Sequence, residues 1–121
     1  MAKRVLALGV DPKDVDPAQL QGLSPELVRS YIETQLARVR SLGYELQSCL
    51  VDSGATAEGV VKRELDARRF DCVLIGAGLR DEAHLLLFEK LLNLIHARAP
   101  GAKICFNSSP ADSAEAVQRW I

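Results

Sequence analysis

The chain has no excess of one charge, no long apolar run and no paired set of cysteines, and each lack removes a class of function. Fifteen Lys and Arg against sixteen Asp and Glu leave a formal net charge of −1. The arginines are spread along the chain, so no basic footprint for nucleic acid exists. The first apolar run, residues 5–10, is too short for a secretion signal core and far too short to span a bilayer. Neither a membrane nor a nucleic acid is an expected partner, and a cytoplasmic location is expected. Three cysteines, Cys49, Cys72 and Cys105, form no Cys-x-x-Cys, and each sits in a strand-like segment. They read as small buried apolar residues. Structural zinc wants four grouped ligands, and no metal site is assigned. What remains is 121 residues, 48% hydrophobic and 26% charged: one ordinary globular domain able to bury about two-thirds of its unfolded surface.

The chain is organised around Phe70-Asp71-Cys72-Val73-Leu74-Ile75-Gly76-Ala77-Gly78-Leu79. Val73, Leu74 and Ile75 form a short continuous apolar run between an Asp and a glycine pair. That is the pattern of a strand covered on both faces, as in the middle of a parallel sheet. Residues 3–10 read the same way. Residues 44–51 are interrupted by Glu45 and Gln47, and residues 103–106 are few, so both read as edge strands.

Helices separate the strands. Ser24, Pro25 and Glu26 are a start signal. Val28, Tyr31, Ile32, Val39 and Leu42 give that helix its inward face, and Gly43 ends it in the left-handed region. A second helix over 57–69 is expected to be capped by Thr56 and to turn Val60, Val61 and Leu65 inward. The third spans 82–99. Leu85, Phe88, Leu92 and Ile95 make one stripe, and Leu87, Leu91 and Leu94 a second beside it. That apolar face is wider than the stripe of an ordinary surface helix. It either lies under another part of the chain or meets a second copy, and a symmetric homodimer through Leu87, Leu91 and Leu94 is the favoured expectation. The last helix follows Asp112 and Glu115, a capping-box variant, and carries Ala116, Val117, Trp120 and Ile121 inward.

Four strands alternating with four helices, the most apolar being the first and third, predict an α/β fold. Right-handed crossovers then give a three-layer arrangement: a parallel sheet of order 2-1-3-4 with helices on both faces. The winding reverses between strands one and three, so a crevice is expected there, flanked by residues 9–14 and 76–82.

The candidate ligand-binding residues lie on that rim: Asp11, Gly76, Gly78, Arg80, Asp81, His84, Asn107 and Ser108. The Gly76-Ala77-Gly78 turn opens a helix whose free amides suit an anion, with Arg80 as a charged clamp. On the plainer reading the glycines only make the turn and Asp81 only caps the helix. A dinucleotide fingerprint would need a third glycine at position 81, where this chain has Asp. Asp11, Asp14 and Asp16 are divalent-cation donors on one reading and turn carboxylates beside Pro12 and Pro17 on the other.

This alternation resembles the flavodoxin-like and receiver-like domains of small bacterial α/β proteins, over nearly the whole chain and at the level of the fold. A receiver's phosphoacceptor Asp would stand where this chain has Gly76, and a flavodoxin's Ser- and Thr-rich phosphate loop is replaced by residues 11–17 with three aspartates. Locally, residues 71–81, the leucine-rich helix and residues 99–104 are similar to a middle portion of the SGNH hydrolases. The family's Gly-x-Asn-Asp motif matches Gly78, Leu79, Arg80 and Asp81, with Arg in place of the oxyanion-donating Asn. Its Gly-Asp-Ser nucleophile motif falls on Gly9-Val10-Asp11-Pro12, which has no serine. Its C-terminal catalytic His has no counterpart, since His84 and His96 both lie in the third helix. Without nucleophile and base together, acyl transfer has no engine.

No catalytic residue and no cofactor is therefore assigned. The expected function is a binding or interaction module holding a small anionic ligand at the sheet's C-terminal rim. The alternative is a hydrolase or transferase built from Asp11, Arg80, Asp81, His84 and Asn107.

Overall fold

A computed structural model of the chain describes residues 2–52 and 54–121. Its four strands are β1 (Arg4–Val10), β2 (Glu45–Val51), β3 (Cys72–Ile75) and β4 (Lys103–Phe106). They form one parallel sheet in the order β2-β1-β3-β4. The four α-helices are α1 (Pro25–Ser41), α2 (Ala57–Ala67), α3 (Leu85–Arg98) and α4 (Ser113–Gln118). The expected order and fold class are those observed: the fully apolar strands pair at the centre and the interrupted or short ones take the edges.

Side chains alternate across a strand, and the alternation divides the core in two. Leu6, Leu8 and Val10 of β1 pack with Cys49, Val51, Val73 and Ile75 under α2 and α3, through Val61, Leu65, Leu91 and Ile95. Val5 and Ala7 join Cys72, Leu74 and Cys105 under α1 and α4, through Leu36, Val39, Ala114, Ala116 and Val117. All three cysteines are buried and free, as expected of small apolar residues. Burial pushes the Cys49 thiol up to about 11, with Glu64 adding to the effect.

The local signals for α1 hold. The Ser24 hydroxyl accepts from the Leu27 amide at 3.1 Å, Pro25 is the first helical residue, and Gly43 has φ +98°. Other expectations need correction. Thr56 stands at the N-cap of α2 as expected, but its side chain makes no capping bond; its hydroxyl donates to Asp52 Oδ2 at 2.7 Å. The capping box at the last helix is formed by Ser109 and Asp112, one turn earlier than the Asp112–Glu115 pair expected, and it nucleates a 3-10 turn at Pro110–Asp112. Tyr31, Leu42 and Trp120 are exposed, because Leu36 and Val39 supply the inward face of α1 and Ala116 and Val117 that of α4. Residues 82–84 form a 3-10 turn, and regular α-helix begins only at Leu85.

The dimer residues also fall differently. Leu91 is fully enclosed by its own chain, and Leu87 and Leu94 are half-buried against the same cluster. The wide apolar face of α3 is internally covered: α3 packs against α2 as well as the sheet, and two neighbours need two stripes. The leucines left to solvent are Leu85 and Leu86, the latter 73% exposed. No helix among the described residues is long and apolar enough to cross a membrane.

Candidate functional site

The loops after β1 and β3 are shaped by short polar caps. Asp11 accepts from the Lys13 amide at 3.1 Å and Asp16 from the Ala18 amide at 3.0 Å, each opening a proline-led 3-10 turn. Asp11 Oδ1 also accepts from Arg29 Nη2 at 2.5 Å, tying the loop to α1. Burial works against the Asp11 charge, yet the Arg29 hydrogen bond and the Lys13 amide outweigh it and hold the carboxyl below the usual range. Asp11 and Asp16 are therefore occupied as turn carboxylates. Among the described residues no three His, Cys, Asp or Glu side chains gather as metal ligands.

After β3 the chain turns over Ala77–Arg80 without positive φ at either glycine. Gly76 is required for a different reason. Its amide donates to Leu8 O at 2.9 Å, so close that a Cβ built there would lie 3.1 Å from the same oxygen. A side chain at position 76 would push the two central strands apart.

Where β1 and β3 end, the two loops and α1 enclose a cavity of about 350 Å³. Gly9, Val10 and Pro12 line one side and Gly76, Ala77 and Gly78 the other, the flanks expected of the crevice. The remainder is mostly aliphatic, with Ala7 and Leu74 from the sheet and Val28, Ile32 and Leu36 from α1. Polar side chains are few: Gln19, Ser48, Asn107 and Ser113. No Lys, Arg, Asp, Glu or His belongs to the wall. The volume sits at the small end of ligand pockets, and such pockets characteristically pair an apolar body with a few placed polar groups. Open α/β sheets hold ligands at this topological position.

Three of the eight rim residues expected from sequence, Gly76, Gly78 and Asn107, are brought together on this wall. Asp11 is paired as described. Arg80, the expected clamp, turns back across the strand ends. Its Nε donates to Ile75 O at 3.1 Å, its Nη2 donates to Asn107 O and also reaches Asn107 Oδ1 at 3.2 Å, and its guanidinium lies 4.9 Å from the centre of the Phe106 ring. Desolvation lowers the Arg80 pKa against an opposing effect of Asp112, which does not stop an arginine being charged at neutral pH. The cation thus serves the Ile75 carbonyl at the end of β3, the Asn107 carbonyl just past β4 and an aromatic face rather than the cavity.

Asp81 and His84 form a separate group. Asp81 Oδ1 accepts from the His84 amide at 3.1 Å, so the helix start already holds a carboxylate of its own. His84 Nδ1 lies 2.8 Å from Gly78 O and 3.1 Å from Asp81 Oδ1, which makes Nδ1 the protonated nitrogen and leaves Nε2 as the basic one. Neither residue belongs to the cavity wall. Ser108 is likewise elsewhere: its amide and hydroxyl donate to Asp112 at 2.8 and 2.6 Å. Those bonds, the Ser108 hydroxyl's foremost, hold the Asp112 carboxyl below its usual range.

Asn107 and Ser113 are the buried polar pair among the described residues, at 6% and 2% exposure. Asn107 Nδ2 donates to Ser113 Oγ at 3.1 Å, and Ser113 Oγ donates to Pro110 O at 2.8 Å. Ser48, Ser113 and the α1 wall were not anticipated from sequence. Comparison with protein-family models and with curated proteins found no match for this chain.

Proposed function

We propose that this protein is a non-catalytic binding module that holds a small, uncharged, mainly aliphatic molecule in the cavity at the tips of β1 and β3. One observation carries the reading: a cavity of about 350 Å³ at the winding reversal, walled by aliphatic side chains and four neutral polar ones. The ligand class follows from the wall. A buried ion without a partner is strongly disfavoured; of the nearby cations, Arg29 and Arg80 are spent on Asp11 and on strand-end carbonyls, and Lys13 is exposed on its turn outside the wall. The anionic ligand expected at the rim is accordingly replaced by a neutral one in the pocket beside it.

A thermal-shift comparison of six-carbon compounds tests this. The neutral 2-hexanone and 1-hexanol should raise the melting temperature, while hexanoate and hexylammonium should not. Stabilisation by hexanoate or inorganic phosphate alone would return the site to the charged rim; stabilisation by none would remove the binding reading.

The enzyme alternative rests on the Asp81–His84 pair, an oriented imidazole with a basic Nε2 and a side chain 14% exposed. Among the described residues no Ser, Thr or Cys is hydrogen-bonded to that ring, so the pair is a base without a side-chain nucleophile beside it. Hydrolysis of a p-nitrophenyl ester that is lost in His84→Ala would overturn the non-catalytic reading.

A further inference from the structure

The polar end of the cavity has a direction, and that direction specifies part of the ligand. Arg80 can only donate, so the Asn107 atom facing it is the amide oxygen, and the NH₂ group is the end turned to Ser113. Ser113 spends its own hydrogen on Pro110 O, which leaves its oxygen as the acceptor for Asn107. Donors therefore run one way, from Arg80 to Asn107 to Ser113 to the Pro110 carbonyl. An amide NH₂ carries two hydrogens, and among the described residues Ser113 takes one. The second belongs to a side chain on the cavity wall that is only 6% exposed. A buried donor without an acceptor is costly.

Resting on the binding reading above, we infer that Asn107 Nδ2 recognises a hydrogen-bond acceptor on the ligand. The occupant is an aliphatic molecule carrying a neutral carbonyl oxygen, such as a ketone, ester or amide, with that oxygen at Asn107 and its hydrocarbon part along Ala7, Val28, Ile32 and Leu36. The preference is for an acceptor because the free group at this end is a donor: the Ser113 hydrogen is committed to Pro110 O, and Asn107 presents its second N–H. Nothing charged is called for, since the Arg80 charge is already turned to backbone carbonyls and the Asn107 oxygen.

The test uses the full chain, ¹⁵N-labelled, titrated with 2-hexanone and with 2-methyl-1-hexene, which has the same shape with a methylene in place of the oxygen. The ketone should shift one of the two Asn107 side-chain amide protons selectively, and the alkene should not. Backbone amides of Gly76 and Gly78 should respond to both. In Asn107→Leu the ketone should bind roughly tenfold more weakly, as loss of one hydrogen bond predicts, while the alkene should not weaken. If the glycine amides respond but the Asn107 protons do not distinguish the two probes, carbonyl recognition is wrong and the cavity reading survives. If neither probe moves any of these signals, both fall. Should Asn107→Leu fail to fold, the side-chain amide shifts of the unaltered protein decide the matter alone.

Discussion

The two faces of the sheet are built from the same strands but not to the same density. Toward α2 and α3, β1 presents Leu6, Leu8 and Val10, and β3 presents Val73 and Ile75. Toward α1 and α4, β1 presents Val5 and Ala7 and then Gly9, with Ser48 of β2 in register with Ala7. The first set grips its helices with large side chains. The second shrinks towards the C-terminal ends of the strands, and there the cavity lies. Ala114 and Ala116 continue the economy of volume into α4. A close-packed interior tolerates few voids larger than a water, so small residues in adjacent rows signal a space kept open.

This contrast can be broken most forcefully from the filled side. Leu91→Ala should cost about 2–5 kcal/mol, because the side chain is wholly buried between α2, α3 and the sheet. Urea denaturation followed by circular dichroism would measure it; a loss below about 1 kcal/mol would mean that α3 packs loosely and that its leucines are free for a partner after all. Next in size is Gly76→Ala. Its new Cβ would press on Leu8 O, which is backbone of the neighbouring strand and has little room to yield. Destabilisation of about 1–3 kcal/mol is expected from such crowding. A neutral result would show that β1 and β3 can separate at their tips.

Acid addresses the same rim, at the end of β4. Asp112 holds the turn after β4, and its carboxyl pKa is depressed in the folded chain. A depressed carboxyl stabilises the fold at pH values above its unfolded pKa, about 3.9, and the contribution is lost as pH falls through the folded value. Asp112→Asn should therefore lower stability at pH 7 by about 1 kcal/mol, the usual scale for a lost cap, and the gap to the unaltered protein should narrow near pH 3. An equal gap at both pH values would assign the effect to packing instead of charge. Smallest of all is Leu86→Ser, expected within about 0.5 kcal/mol of neutral because the residue is 73% exposed. Sedimentation of this variant beside the parent would also show whether Leu85 and Leu86 serve any association.

Much of the architecture was legible because burial on both faces leaves a mark that needs no partner to interpret. Val73-Leu74-Ile75 and residues 5–10 could only be central, and Glu45 and Gln47 could only belong to an edge, so order and crevice followed. The site was read less well. In sequence Gly76 reads as a turn residue, and the structure adds its close approach to Leu8 O. In sequence Arg80 reads as a ligand clamp because a cation beside a glycine turn invites an anion; which way a long flexible side chain folds depends on carbonyls supplied by Ile75 and Asn107, the latter 27 residues away. The α1 wall was missed because Val28 and Ile32 look alike whether they meet side chains or a void. One signal was available: the alternation Leu6-Ala7-Leu8-Gly9-Val10 is large and small in turn, and both sizes are apolar. Hydrophobicity alone hides that pattern, and side-chain volume reveals it.

Filling the space tests the account most directly. Ala7→Leu would place added methyl groups in the cavity, and its urea midpoint should be measured with and without saturating 2-hexanone. The account predicts a midpoint equal to or above that of the unaltered chain, together with loss of the increment that 2-hexanone gives the unaltered chain. A fall of about 1–3 kcal/mol, the cost of overfilling a dense core, or a ligand increment that survives the substitution, would contradict it.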